Sequence, residues 1–170
     1  MDQQIEQVIT ISALPTAGDI FIYKMYHSFV SAAGVVRILL SVIFLALGLG
    51  TIGSVSTLLT ILVLALGILN PVITPVMFLV QSIKSAASSI AVIYSFSDKG
   101  IDLSDGKKRT HLNWDELALI VVMRRELLIY TNPVQAFVIP RKQLGADQAP
   151  LLALIKEQAN PDRCVFRKVF

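Results

Sequence analysis

The longest uncharged stretch of the chain is residues 38–83, which read ILLSVIFLALGLGTIGSVSTLLTILVLALGILNPVITPVMFLVQSI. A single helix of this length would extend for about 69 Å, whereas the hydrocarbon core of a bilayer is about 30 Å thick. Two shorter helices fit that thickness, and the glycines and serines of residues 48–56 together with Thr57 supply a turn between them. The stretch therefore predicts a transmembrane hairpin with helices near residues 33–52 and 57–80.

The overall composition agrees with a membrane protein. Hydrophobic residues make up 54% of the chain and charged residues 16%, against about 45–50% and about 25% in soluble domains. The net charge of +3 is too small to predict nucleic acid as a partner, but it suits a weak attraction to anionic membrane lipids. Cys164 is the single cysteine, which excludes an intramolecular disulfide and indicates a reducing compartment.

Two kinds of residue interrupt the apolar helices. Pro71 and Pro75 each remove one helical hydrogen bond, so the second helix is expected to be kinked. Arg37 lies one turn inside the first helix. Its long side chain can return to the interface, so we expect an anchor rather than a buried functional charge.

Basic residues flank the hairpin on both sides. Lys24, His27 and Arg37 lie near its entrance and Lys84 at its exit, while its turn carries no charge. Because basic flanks stay in the cytoplasm, both termini are predicted to be cytoplasmic.

The sequence after residue 90 alternates with the period of two that is typical of strands. Strands are predicted at residues 90–97 and 101–104, and three more at LALIVVM, LLIYT and VQAFVIP. An amphipathic helix is predicted at residues 146–159. Before the hairpin, residues 4–13 favour a strand and residues 20–29 an aromatic-rich helix at the interface. The water-facing part is therefore expected to be one antiparallel sheet closed by a C-terminal helix.

That plan is shared with pleckstrin-homology-like domains, and four short motifs carry a closer resemblance. They are YSFSDKGI at 94–101, NWDEL at 113–117, LLIY at 127–130 and FVIPR at 137–141. In these motifs, placed behind two membrane helices, the chain resembles the bacterial YcxB-like family. The family's fourth motif usually ends in Pro-Lys, where this chain has Pro140-Arg141. The resemblance implies a cytoplasmic, split pleckstrin-homology-like domain whose N-terminal strand returns to the sheet, and it implies no chemistry.

The expected layout has three parts. They are an N-terminal strand and interfacial helix at residues 1–31, the transmembrane hairpin at 32–83 and the pleckstrin-homology-like domain at 84–170. The fold class is membrane α+β, with a two-helix hairpin inserted in a split antiparallel β domain with a C-terminal helix. The expected location is the bacterial cytoplasmic (inner) membrane.

No grouping of residues predicts catalysis, a cofactor or a metal site. His27 and His111 are the only histidines, and neither has an acidic residue or a cysteine at metal-ligand spacing. Residues 48–53 spell G-x-G-x-x-G, but no soluble strand precedes them and no acidic residue follows at the position that would bind ribose. The chain is therefore predicted not to be an enzyme.

Two basic clusters are candidate contacts with lipid or with a protein partner. The first, here called the basic hairpin, is Lys107, Lys108 and Arg109; the second is Arg163, Arg167 and Lys168. A merely solvated hairpin is the alternative for the first cluster.

Three further residues carry packing predictions. Ala46 and Gly50 form a small-xxx-small pair that suits close helix packing, either within the hairpin or in a dimer. Trp114 is expected to plug the end of the sheet, and its indole N–H then needs one acceptor.

The expected function is a membrane-tethered, non-enzymatic interaction module that binds a protein partner or anionic lipid at the cytoplasmic leaflet. Its expected partners are membrane lipids and either another protein or a second copy of the chain, and not nucleic acid. Two alternatives stay open at this point. One is an immunity protein against a membrane-acting toxin, and the other is a small oligomeric transport or channel component.

Overall fold

The computed structural model of the protein describes residues 8–30 and 32–166. These residues form two compact units. The β unit combines the described residues up to Asp19 with those from Ser88 onward, and the helical unit is residues 20–87. The helical unit is therefore an insertion in the sequence of the β unit.

The first sheet of the β unit has four antiparallel strands in the order β1-β2-β3-β4. They are β1 (Ile9–Ala13), β2 (Val92–Ser97), β3 (Gly100–Ser104) and β4 (Arg109–Leu112). Alternate residues of β1 are buried, and Ile11 pairs with Tyr94 of β2. Gly100 has a φ of +152°, and a Cβ at this position would collide with the carbonyl of Leu112. The turn into β3 therefore requires glycine.

The second sheet has the order β7-β6-β5-β8. Its strands are β5 (Leu119–Val122), β6 (Glu126–Tyr130), β7 (Ala136–Pro140) and β8 (Cys164–Phe166). Neighbouring strands are antiparallel except β5 and β8, which are parallel. A parallel pair needs a long connection. Here that connection includes the C-terminal helix α4 (Gln148–Gln158).

Both sheets and α4 contribute to one hydrophobic core. Phe96 of the first sheet, Ile139 of the second and Ile155 of α4 all have 0% exposure. Trp114 is also buried, and its indole N–H donates a hydrogen bond to the carbonyl oxygen of Ser97 at 3.0 Å. The buried indole N–H of Trp114 therefore has the hydrogen-bond acceptor that the sequence analysis expected it to need.

The structure confirms an α+β fold with antiparallel sheets and corrects the prediction of a single sheet. The sequence did not predict β4 or β8. Three of the four residues of β4 are exposed, so this strand lacks the apolar alternation that reveals others. β8 is short and joins its sheet only through a distant pairing with β5, which local sequence does not encode.

The helical unit is built from α1 (Ala17–Val30, which begins in the β unit), α2 (Ala32–Gly50) and α3 (Thr57–Ala87). α3 continues past residue 80, where the second span was predicted to end. Apart from Ile83, its extra residues are polar or small, and Lys84 lies in its last turn. A cation there is favourable at the negative end of the helix dipole, so the helix outlasts the apolar stretch.

Two glycines mark the closest approach of α2 and α3. A Cβ at Gly48 would lie 2.6 Å from Cγ of Leu64, and a Cβ at Gly67 would lie 2.7 Å from Cγ of Leu45. Each helix therefore presents a leucine to a glycine of the other helix. This reciprocal arrangement lets the two backbones pack closely.

The predicted pair Ala46 and Gly50 does not make this contact. Both residues are exposed, and a Cβ at Gly50 would meet nothing within 4 Å. Gly50 is the last residue of α2, so it lies too near the turn to face the body of α3.

Among the described residues, no helix taken alone combines the length and hydropathy needed to cross a bilayer. Two bent pairs of helical segments meet both requirements when each pair is taken together. They are Ala17–Val30 with Gly34–Gly50, at an angle of 67°, and Thr57–Leu69 with Pro71–Ala87, at 43°. The second bend falls where the sequence predicts a kink, because Pro71 cannot donate the usual helical hydrogen bond.

Candidate functional site

The basic hairpin joins β3 to β4, and its three side chains are exposed. Its turn is shaped by Asp105, whose Oδ1 accepts hydrogen bonds from the backbone N–H groups of Lys107 at 2.9 Å and Lys108 at 2.7 Å. These bonds hold the pKa of the Asp105 carboxyl below its ordinary value. Because Asp105 already occupies these backbone donors, an anionic ligand would meet the basic hairpin through its side chains.

A cross-strand pair lies beside the basic hairpin. Asp102 of β3 is in register with His111 of β4, and its Oδ1 lies 2.8 Å from Nδ1 of the histidine. This hydrogen bond raises the pKa of His111. The side chains are 44% exposed for His111 and 61% for Asp102, so the pair adds little stability. When protonated, His111 is matched by Asp102 and does not enlarge the basic surface.

Arg163, from the second predicted cluster, is exposed, but its guanidinium is hydrogen-bonded to the backbone. Its Nη1 donates to the carbonyl oxygens of Asp115 at 2.8 Å and Leu117 at 3.3 Å. These bonds tie Arg163 to the turn that begins at Trp114. Arg167 and Lys168, which complete the predicted cluster, lie outside the described residues.

Sequence reasoning missed a buried charged group at the start of β6. Glu126 is 1% exposed, and in the described part of the chain its Oε1 has no hydrogen-bond partner. Burial, assisted by the nearby carboxylate of Asp19, raises the pKa of Glu126 to about 7. Asp19 itself accepts a hydrogen bond from Oγ1 of Thr16 at 2.6 Å and lies 3.8 Å from Nζ of Lys142. Glu126 can therefore gain or lose a proton near neutral pH.

The sequence holds one signal for this buried carboxyl. Glu126 follows Arg124 and Arg125, and the three residues together have the character of a charged turn between strands. In the structure, however, Glu126 is the first residue of β6, and all five residues of that strand are buried. The position of Glu126 directly before the apolar run LLIY was the sequence feature that could have indicated its burial.

Arg141, directly after β7, has a structural role. Its backbone N–H donates to the carbonyl of Arg125 at 2.7 Å, and its Nη1 donates to the carbonyl of Met123 at 2.8 Å. The end of β7 is thereby tied to the turn between β5 and β6. The planar guanidinium carries donors on several nitrogens, whereas a lysine would offer a single ammonium group.

The described residues hold no group of three or more His, Cys, Asp or Glu that could bind a metal ion. Cys164 is half-buried, and burial raises the pKa of its thiol. Since the thiolate is the reactive form, this cysteine is a weak nucleophile at neutral pH.

Comparison with known proteins finds a family match for part of the β unit. A family model described as YcxB-like protein matches residues 96–155, which run from β2 to α4 and contain the Trp114, LLIY and Pro140-Arg141 motifs. No curated protein and no solved structure matches the chain significantly. Over residues 96–155 the chain is therefore similar to the YcxB-like family.

Proposed function

We propose that the protein is a membrane-tethered, non-enzymatic interaction module. Helices α2 and α3 cross the cytoplasmic membrane of a bacterium as a hairpin and hold the β unit at the cytoplasmic leaflet. There the basic hairpin meets anionic lipid. In this reading the β unit is a split pleckstrin-homology-like domain, which is supported by the return of β1 to pair with β2, by the shared core and by the C-terminal helix.

The observation that carries the proposal is the exposed apolar surface of the helical unit. Most of the large hydrophobic side chains left exposed by the structure belong to α2 and α3, among them Leu39 at 56%, Leu58 at 70% and Val76 at 58%. Leaving a side chain of this size in water instead of burying it costs about 1.5–3 kcal/mol. A lipid environment removes that cost along the length of both helices.

Helix lengths suit the same environment when the helical segments are taken in the two bent pairs described above, because no single helix in the described ranges meets both requirements alone. The 19 residues of α2 span about 28 Å at 1.5 Å per residue, close to the hydrocarbon thickness of about 30 Å. The 31 residues of α3 exceed it. Their excess lies at the end that carries Lys84, which suits emergence of that end from the membrane.

Charge supports the orientation. The helical unit has Lys24, Arg37 and Lys84 at its two outer ends and no charged residue between α2 and α3. Since basic flanks are retained in the cytoplasm, the turn at residues 51–56 would face the opposite side.

Extraction of isolated membranes with alkaline carbonate tests the tether. The whole protein is expected to stay in the membrane pellet. A chain in which residues 20–87 are replaced by a Gly/Ser linker is expected to move to the supernatant. Release of the unaltered protein by carbonate would contradict the proposal.

A further inference from the structure

The helical unit contains a cavity of about 310 Å³ that is lined by all three of its helices. Its polar lining comes from Lys24, His27, Ser28, Arg37 and Gln81. We propose that this cavity binds a phosphate group, and that the phosphate belongs to the headgroup of an anionic phospholipid. The lipid source rests on the membrane location proposed above, whereas the preference for phosphate rests on the cavity alone.

The charge balance of the helical unit favours an anion. Residues 20–87 contain three Lys or Arg and no Asp or Glu, and two of the three cations, Lys24 and Arg37, line the cavity. Both are half-buried. In the described part of the chain neither is paired with a carboxylate. Partly buried cations without a counter-charge are unfavourable, so an anionic ligand would stabilise them.

Neutral side chains hold the two cations in place. Nζ of Lys24 donates to Oε1 of Gln81 at 2.8 Å, and Nη1 of Arg37 donates to Oγ of Ser28 at 2.7 Å. These bonds fix both positive groups without neutralising them. An ammonium has three N–H donors and a guanidinium has five, so both retain donors for phosphate oxygens.

Gly34 allows the cavity to form. A Cβ at Gly34 would collide with the backbone carbonyl of Ser28, so α1 and α2 approach this closely only with glycine at the position. The close approach keeps Ser28 within hydrogen-bond distance of Arg37. The glycine therefore supports the polar wall of the cavity.

The position of the cavity along the helices points to a lipid as the source of the phosphate. From Gly34 to Gly50, α2 rises by about 24 Å, so cavity and turn are separated by nearly the hydrocarbon thickness of about 30 Å. If the turn lies at one surface, the cavity lies at the headgroup level of the other. Tyr23 and Phe78 also line it, and aromatic residues are enriched at this depth.

Lipid occupancy of the whole protein, measured by native mass spectrometry in neutral detergent, tests the proposal. Phosphatidylglycerol is expected to bind, and phosphatidylcholine to bind much more weakly. Lys24→Gln and Arg37→Gln are each expected to weaken phosphatidylglycerol binding about tenfold, the factor equivalent to 1.4 kcal/mol. Lys84→Gln is the matched control, because it removes one charge from the same unit outside the cavity. Lys24→Arg, which keeps the charge, is expected to retain binding, and gel filtration with circular dichroism verifies folding.

Other results would overturn the proposal in distinguishable ways. If Lys84→Gln weakened phosphatidylglycerol binding equally, the lipid would be attracted by the overall positive charge of the helical unit and not by a specific site. Unchanged affinity in both Lys24→Gln and Arg37→Gln would exclude the cavity. Binding of inorganic phosphate with no binding of phosphatidylglycerol would refute the lipid source. Carbonate extraction reports separately on the tether, since a chain released from membranes contradicts the proposed function whatever the cavity binds.

Discussion

Replacing Glu126 by glutamine is expected to remove a pH-dependent loss of stability from the β unit. The pKa of this carboxyl is about 7 in the folded chain against an ordinary value of 4.5. Between these values the folded state binds more protons than the unfolded state, so stability falls as pH rises. The stabilising effect of the proton is complete below about pH 4.5 and is lost through pH 7. At about 1.36 kcal/mol per pKa unit, the loss amounts to about 3 kcal/mol.

Thermal unfolding followed by tryptophan fluorescence measures this effect. Trp114 is the only tryptophan and is buried in the β unit, so its emission reports unfolding of that unit in the detergent-solubilised protein. Between pH 5 and 8 the midpoint of the unaltered chain is expected to fall relative to Glu126→Gln by about 10 °C or more. Glu157→Gln, at an exposed position of α4, is the control and should follow the unaltered chain.

His111 also has a raised pKa, so its contribution to the stability of the folded chain likewise falls as pH rises. It is present in all three chains, so the difference between the unaltered chain and Glu126→Gln isolates the buried carboxyl. A difference of equal size at pH 5 and pH 8 would refute the reasoning, because Glu126 would then not titrate in this window.

Three further changes test packing and surface charge. Ile155→Asp is expected to unfold the β unit, because it places a charge at a site with 0% exposure, at a cost of several kcal/mol. Ala153→Asp, on the exposed face of α4, should leave the tryptophan emission near normal. Equal effects of the two substitutions would contradict the burial of Ile155 in the core. Gly48→Leu is expected to lower the melting midpoint of the helices more than Gly50→Leu, because the space at Gly50 is open. Circular dichroism in detergent measures both midpoints, and the reverse order would contradict the packing of α2 on α3. The third change replaces Lys107, Lys108 and Arg109 by glutamine in the chain whose residues 20–87 are replaced by a Gly/Ser linker. Cosedimentation of this chain with anionic vesicles is expected to weaken, and the binding is expected to depend less on salt, because each basic residue near the leaflet contributes about 1 kcal/mol. Salt-independent binding to one lipid would instead indicate a specific pocket.

Local signals in the sequence predict much of the fold. The uncharged run predicts two helices with a turn, and Pro71 predicts the bend in α3, because these features act within a few residues. The need of Trp114 for an acceptor is a property of its indole N–H, so it was predictable, although the identity of Ser97 as the acceptor was not.

The missed features depend on contacts between distant residues. The parallel pairing of β8 with β5 and the division into two sheets arise from tertiary packing. Small residues are plentiful in both apolar helices, so the sequence could not single out Gly48 and Gly67 over Ala46 and Gly50 as the point of contact. The cavity at Lys24 and Arg37 is likewise invisible in the sequence, because its walls come from three separate helices.

Cysteine labelling in intact cells tests the membrane insertion and its orientation together. In a chain carrying Cys164→Ser, single cysteines are placed at Ser54, in the turn between α2 and α3, and at Asn160, at an exposed position of the β unit. A membrane-impermeant maleimide is expected to label Ser54→Cys in intact cells and Asn160→Cys only after permeabilisation. Labelling of Asn160→Cys in intact cells while Ser54→Cys stays protected would contradict the orientation, and protection of both until permeabilisation would contradict the hairpin itself.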